Sequence, residues 1–147
     1  MKKFKSKKII SIDYGTKRVG LAIADSTLSF ALPLVVLENN KFLFLNIKKI
    51  IDEENINLII LGYPKTLNNY VSQRHELILN FKNELELFLK NSIKIVLFDE
   101  SYSTKSAFTS MNQFGINKNH FQKSKDMVSA CIFLENYLAK IRDKNGK

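Results

Sequence analysis

The stretch IISIDYGTKRVGLAIAD, residues 9–25, consists of an apolar run, a short polar turn and a second apolar run. This pattern predicts an antiparallel hairpin with strands at 8–13 and 19–24 and a turn at 14–18, where Gly15 can take a positive φ. Asp13 ends the first strand and Asp25 follows the second. Two interpretations of Asp13 are open: it shapes the turn by bonding to its own backbone, or its carboxylate takes part in chemistry.

The composition limits the class of protein. The chain has 147 residues, of which 45% are hydrophobic, and this suits one domain with a core of its own. No apolar run approaches the roughly 18 residues of a membrane span, and the Lys-rich start lacks the apolar segment of a signal peptide. A single cysteine, Cys131, excludes an internal disulfide. A soluble, cytoplasmic protein without membrane contact is the prediction.

The positive charge is concentrated in the two tails. The net charge is +9, and residues 1–8 and 140–147 contribute +8 of it, so residues 9–139 carry 14 basic and 13 acidic groups. Basic tails attract nucleic acid by releasing counterions, but they also serve solubility. The charge alone therefore does not distinguish a nucleic-acid-binding protein.

Strand and helix patterns alternate through the rest of the chain. Further strands are predicted at 31–37, 58–61 and 93–98, and helices at 42–54, 72–89, 103–114 and 126–141. Pro33 places the third strand at a sheet edge, whereas 62–64 and 117–125 have loop composition. The order β-β-β-α-β-α-β-α-α predicts an α/β fold, a mixed five-stranded sheet with helices on both faces. The expected organisation is one domain at 9–141 between basic tails at 1–8 and 142–147.

Acidic residues lie at the ends of these elements. Asp13 and Glu100 end the first and last strands, and Asp126 begins the last helix, in line with Ala130 and Phe133 on a partly apolar stripe. Each acid has an ordinary explanation as a turn former, a strand end or cap, or a partner of the helix dipole. Three carboxylates at one sheet edge, however, repel each other unless a cation neutralises them. Oxygen ligands of this kind suit Mg²⁺ or Mn²⁺, so the set predicts a metal site.

Other catalytic chemistries have less support in the sequence. His75 and His120 do not have the spacing of a zinc site or of a nucleophilic triad. Cys131 lies on the apolar stripe of the last helix and is interpreted as a packing residue. The chain contains no GxxxxGK[ST] motif, which excludes a P-loop.

Four segments together resemble a known family. They are IDYGTKRVGLAIAD at 12–25, LGYP at 61–64, FDESYST at 98–104 and KDMVSACIFLENYL at 125–138. In this order and spacing, over about residues 8–141, they are similar to the motifs of the YqgF/RuvX family, described as Holliday junction resolvases and as pre-16S rRNA nucleases. The resemblance implies an RNase H-like fold and metal-dependent cleavage of phosphodiester bonds in the cytoplasm. The implied substrates are the 5′ end of precursor 16S rRNA in ribosome biogenesis and branched DNA.

The resemblance also implies roles for particular residues. Asp13, Glu100 and Asp126 would be both the catalytic acids and the ligands of Mg²⁺ or Mn²⁺, the same three acids that their positions in the chain single out. The implied substrate-binding residues are Lys17 and Arg18 in the first turn, Thr104, and Lys125.

Two segments depart from the family pattern. Ser101 stands where the family has an arginine, which removes a cation near the proposed site. In the loop after Gly62, Asn68-Asn69 stands where the family often has an Asp-Gly turn, and Tyr63 and Lys65 replace apolar residues. A lysine could supply the missing charge; the candidates are Lys105, Lys118, Lys123 and Lys125.

Three functions are therefore considered. The first is a nuclease acting on precursor rRNA or junction DNA, associated with ribosomal particles, as a monomer or a weak homodimer. The second is a catalytically weak or inactive RNA- or ribosome-binding protein with the same fold. The third is an ATPase of the actin and sugar-kinase type, whose first hairpin is similar but which needs a second lobe and a second Asp-x-Gly turn.

Overall fold

The computed structural model describes residues 7–25, 31–64, 72–100 and 121–144, with the backbone alone at Glu100, 121–127 and 142–144. Five strands form one mixed sheet, as predicted: β1 (Lys8–Asp13), β2 (Arg18–Asp25), β3 (Leu32–Glu38), β4 (Ile56–Pro64) and β5 (Lys94–Glu100). The helices within the described ranges are α1 (Leu43–Glu54), α2 (Gln73–Phe88) and α3 (Phe121–Lys144). The helix predicted at 103–114 lies outside the described residues.

The strand order is β3-β2-β1-β4-β5. β2 runs antiparallel to both β1 and β3, whereas β4 runs parallel to β1 and to β5. The carboxyl ends of β1, β4 and β5 therefore lie at the same edge of the sheet, which is called the carboxyl edge below. β3 is an outer strand, and this confirms the position that Pro33 predicts.

Helices cover both faces of the sheet, and successive side chains of each strand point to opposite faces. Ile10 and Ile12 of β1 belong to the core that contains the apolar residues of α1 and α2. Ile9 instead packs in a second core with Phe133 and Leu134 of α3. The predicted arrangement of helices on both faces is confirmed. None of the described helices combines the length and apolar character needed to span a membrane.

The β1–β2 turn needs a glycine for a reason other than the predicted one. The φ of Gly15 is not in the left-handed region, so the predicted positive φ is wrong. A Cβ at this position would overlap the carbonyl oxygen of Arg18, because the chain folds back tightly on itself. Asn39 fastens the turn to the end of β3: its side-chain amide donates to Gly15 O at 2.8 Å, and its backbone N–H donates to Lys17 O at 2.9 Å.

The largest differences from the predicted boundaries are in β4, β5 and α3. β4 continues through Gly62, Tyr63 and Pro64, predicted as a loop, because these residues pair with β5 up to Glu100. β5 likewise includes Asp99 and Glu100. The long helix α3 begins at Phe121, so residues 121–125 are helical and not part of the predicted loop. It continues to Lys144, three residues into the segment that was expected to be the C-terminal tail.

Candidate functional site

The sheet register sets the relative heights of Asp13 and Glu100. Ile12 is level with Leu61, and Leu61 is level with Leu97. Asp13, one residue further along β1, is therefore level with position 98 of β5. Glu100 extends two residues, or about 6.6 Å, beyond that level. Both acids thus lie at the carboxyl edge, on strands separated by β4.

Asp13 and Glu100 also occupy positions on the same face of the sheet. Ser11, two residues before Asp13, donates a hydrogen bond from its hydroxyl to the carbonyl oxygen of Ala130 in α3. Phe98, two residues before Glu100, packs in the core formed with α3. Because strand residues two apart share a face, the backbone places positions 13 and 100 on the face that α3 covers.

The direction of α3 brings Asp126 to the same edge. Ala130 is held by Ser11 at 2.6 Å, whereas Glu135 accepts a hydrogen bond at 3.0 Å from the backbone N–H of Ala31, close to the opposite edge. α3 therefore runs antiparallel to β1, with its earlier residues toward the carboxyl edge. Asp126 lies four helical residues before Ala130, a rise of about 6 Å, and Asp13 lies two strand residues, about 6.6 Å, beyond Ser11. The backbones of Asp126 and Asp13 are thus at similar heights.

The observed start of α3 weakens the explanation of Asp126 as a partner of the helix dipole. α3 begins at Phe121 and has no acidic residue in its first turn. The prediction that Asp126 begins the helix is wrong, and its favourable interaction with the helix dipole is weakened because that effect fades beyond the first turn.

Asp13 is a buried carboxylate with a basic partner. The residue is only 9% exposed. Nη2 of Arg74, at the start of α2, lies 3.5 Å from Oδ1 of Asp13, and Nη1 of the same guanidinium donates to the carbonyl oxygen of Tyr14 at 3.3 Å. Nothing in the sequence pattern singled out Arg74, because it lies 60 residues from Tyr14 in the chain. Only its place in the first turn of a predicted helix was visible.

The start of α2 that carries Arg74 is firmly held. His75 is 3% exposed, and its Nδ1 accepts a hydrogen bond from the backbone N–H of Ser72 at 2.9 Å. Its Nε2 then carries the proton and donates to the carbonyl oxygen of Pro64 at 3.0 Å. The Ser72 hydroxyl in turn accepts from the His75 backbone N–H at 3.4 Å, which completes a capping box. His75 therefore fixes the helix start against the end of β4.

Of the four predicted substrate-binding residues, the structure describes the side chains of two, Lys17 and Arg18. Lys17 is exposed in the β1–β2 turn, and Arg18 is the half-buried first residue of β2, at the carboxyl edge. Lys125 lies near the start of α3, where the backbone alone is described. Thr104 lies outside the described residues, and so do Ser101, Asn68, Asn69, Lys105 and Lys118.

Asp25 and Cys131 lie away from the carboxyl edge. Asp25 is the strand partner of Lys8 at the opposite end of β1. Cys131, a residue of α3, is buried in the core between α3 and the sheet, and burial, with the nearby Glu135 carboxylate, raises the pKa of its thiol to about 12. The predicted packing role of Cys131 is confirmed, since such a thiol is not a nucleophile near neutral pH.

The donor chemistry at the carboxyl edge is suitable for a divalent cation. Asp13 supplies a carboxylate shielded from bulk water, and oxygen ligands of this type are those that Mg²⁺ and Mn²⁺ bind. The side chains that the structure describes contain no cluster of three or more His, Cys, Asp and Glu residues. Of the three predicted ligands, only Asp13 is among those side chains.

Residues 7–140 match the model of the RuvX family, described as Holliday junction resolvase. The chain belongs to this family. It is 51% identical over 133 residues to a protein of Malacoplasma penetrans, covering 90% of this chain and 94% of that protein. It is 34% identical over 135 residues to one of Staphylococcus saprophyticus, covering 89% and 94%. Both relatives carry the name "Putative pre-16S rRNA nuclease".

Solved structures support the fold of this RuvX-family protein. Thermus thermophilus RuvC in complex with a Holliday junction superposes with a TM-score of 0.57 at 11% identity, covering 92% of this chain and 96% of that one. The Fowlpox virus resolvase in complex with junction DNA gives 0.55 at 16% identity, covering 91% and 98%. The predicted family, fold and enzyme class, a hydrolase of phosphodiester bonds, are confirmed. The ATPase alternative is set aside.

Proposed function

We propose that this RuvX-family protein is a divalent-metal-dependent nuclease whose site is formed by Asp13, Glu100 and Asp126 at the carboxyl edge. The observation that carries the proposal is the buried carboxylate of Asp13 at the end of β1, at the edge where β5 ends and toward which α3 begins. The three acids come from distant parts of the chain, and the sheet register and the direction of α3 bring their backbones to this edge.

Each of the three acids has a distinct support. Asp13 is held by the rigid centre of the sheet, between β2 and β4. Glu100 comes from the parallel strand β5, and Asp126 from the helix that Ser11 ties to β1. Their carboxylates would hold Mg²⁺ or Mn²⁺, which when bound activates water and stabilises charge on a phosphodiester. Rigid elements suit this task because the ligands must keep a fixed geometry.

The proposed substrate is precursor 16S rRNA, cleaved at its 5′ end during ribosome maturation in the cytoplasm. The names of the two relatives support this choice. The family description supports four-way junction DNA as a second candidate. In either case Lys17, which is exposed in the β1–β2 turn, would meet the phosphate backbone.

The test is a cleavage assay with both substrates. Wild-type protein is incubated with precursor 16S rRNA or with a four-way junction in Mg²⁺, in Mn²⁺ and in EDTA. We expect cleavage that needs a divalent metal and that Asp13→Asn abolishes. Asp25→Asn is the matched control, because it changes a strand-end acid at the opposite edge.

Two outcomes of this assay would contradict the proposal. Full cleavage by Asp13→Asn would remove this carboxylate from the mechanism. RNA binding by the wild type without cleavage in either metal would instead favour the catalytically inactive RNA-binding alternative. The departure at Ser101 is tested in the same assay, where a gain with Ser101→Arg would identify a missing substrate contact.

A further inference from the structure

Arg74 connects α2 to the end of β1. Its guanidinium reaches Asp13 Oδ1 at 3.5 Å and the Tyr14 carbonyl oxygen at 3.3 Å. The side chain is 45% exposed, whereas that of Asp13 is 12% exposed. Arg74 is thus a cation that contacts the buried carboxylate of Asp13 and is also accessible from solvent.

The backbone of Arg74 has little freedom to move away. The next residue, His75, is buried and bonded on both ring nitrogens, to Ser72 and to Pro64. The His75 ring also packs edge-on against Tyr63 of β4, with 4.9 Å between centroids. A long flexible side chain on a fixed backbone can exchange partners over a short distance while staying at the site.

The charges at the edge favour such an exchange once a metal binds. Without metal, Arg74 gives the carboxylate of Asp13 a positive partner. A divalent cation held by the same carboxylate would take the place of that partner, and the guanidinium, already at the edge, would then be available to a phosphate. Arginine keeps its charge at all relevant pH values, and its planar fork matches phosphate oxygens.

We propose that Arg74 is a substrate-positioning residue that binds the phosphodiester next to Asp13 and serves as the counter-ion of Asp13 before metal enters. This inference rests on the proposed nuclease site and adds a phosphate contact to it. It also provides a cation at the edge in a chain where Ser101 replaces the arginine of the family pattern.

The test is a double-mutant cycle of RNA binding in EDTA, where no cleavage is needed. Wild type, Asp13→Asn, Arg74→Gln and the double variant bind a fluorescently labelled fragment of 16S precursor RNA at several salt concentrations. Gln removes the charge and keeps a polar side chain. Thermal melts check that each variant is folded, and Arg74→Lys tests rescue by charge.

We expect Asp13→Asn to tighten RNA binding about three- to tenfold, because a negative charge is removed and Arg74 turns to phosphate. Adding Arg74→Gln should abolish that gain and make the slope of log K against log salt shallower by about 0.7. Arg74→Gln alone should have a smaller effect. Lys82→Gln is the control on the same helix, since Lys82 pairs with Glu86 at 3.0 Å instead.

A second measurement separates this role from a structural one. Without RNA, Arg74→Gln should bind Mn²⁺ about three- to tenfold more tightly, because a competing cation is removed. Weaker binding of both Mn²⁺ and RNA would mean that Arg74 only holds the fold. The proposal would be overturned if Arg74→Gln lowered RNA affinity by the same factor in the wild type and in Asp13→Asn, or if it lowered RNA affinity in neither. Failure of the nuclease proposal is distinct, since it appears as wild-type protein that does not cleave.

Discussion

The hydrogen bond between Ser11 and Ala130 sets the position of α3 against β1, and Ser11→Ala tests it. Ser11 is fully buried, and its hydroxyl lies 2.6 Å from the Ala130 carbonyl oxygen. That oxygen keeps its bond within the helix, so the substitution removes one buried hydrogen bond without leaving a donor unpaired. The expected loss in the free energy of unfolding is about 1 kcal/mol, or about 3 °C in Tm for a chain of this size.

The effect on activity should exceed the effect on stability. Ser11 is two residues from Asp13, and Ala130 is four from Asp126, so a looser contact changes the spacing of two proposed ligands. We expect kcat for precursor rRNA to fall about tenfold. Urea unfolding and cleavage kinetics measure the two effects, with the exposed Ser92→Ala as the control that should change neither. Unchanged stability and unchanged kcat for Ser11→Ala would refute this account of how α3 is positioned.

Three further substitutions test other parts of the structure. Gly15→Ala should lower the free energy of unfolding by about 1–3 kcal/mol, because its Cβ meets the Arg18 carbonyl; an unchanged thermal melt would contradict the tight turn. His75→Ala should cost about 2–4 kcal/mol in urea unfolding, since it removes the bonds to Ser72 and Pro64; a loss below about 0.5 kcal/mol would show that the cap is not needed. For Cys131, the pKa is raised from 9.0 to about 12 in the folded state. The unfolded thiol therefore ionises first, and stability present below pH 9 is lost as the pH rises. Relative to Cys131→Ala, the wild type should lose about 1.4 kcal/mol between pH 8 and pH 10; parallel pH profiles would contradict a buried thiol.

Much of the fold was predictable because buried strands appear in the sequence as apolar runs and buried helix faces as apolar residues at helical spacing. β1 was predicted with its observed ends, and the edge position of β3 followed from Pro33. The errors arose where tertiary pairing overrides local signals. Gly62 and Pro64 are typical of a turn, but pairing with β5 keeps them extended. Residues 121–125 contain one apolar side chain, Phe121, and therefore no apolar stripe, yet they extend α3.

The candidate site was predictable in part, for the same reason. Asp13 could be selected because Glu100 and Asp126 also lie at the ends of predicted elements that the topology brings to the same edge. Arg74 could not, because its contact with Asp13 depends on how α2 docks beside β4, which no local pattern records. Sequence motifs identify residues at the ends of strands and helices. A contact between residues that are far apart in the chain, such as that of Arg74 with Asp13, is found only in the structure.

The most direct test of the central claim is a Mn²⁺ titration of the three proposed ligands, read by calorimetry or by the electron paramagnetic resonance signal of unbound Mn²⁺. Asp13→Asn, Glu100→Gln and Asp126→Asn are compared with wild type and with Asp25→Asn, the acid at the opposite edge. We predict that each of the three weakens Mn²⁺ binding at least tenfold, by about 1.4 kcal/mol or more, while Asp25→Asn binds as the wild type does. Wild-type affinity in any of the three variants would contradict a shared metal site at the carboxyl edge.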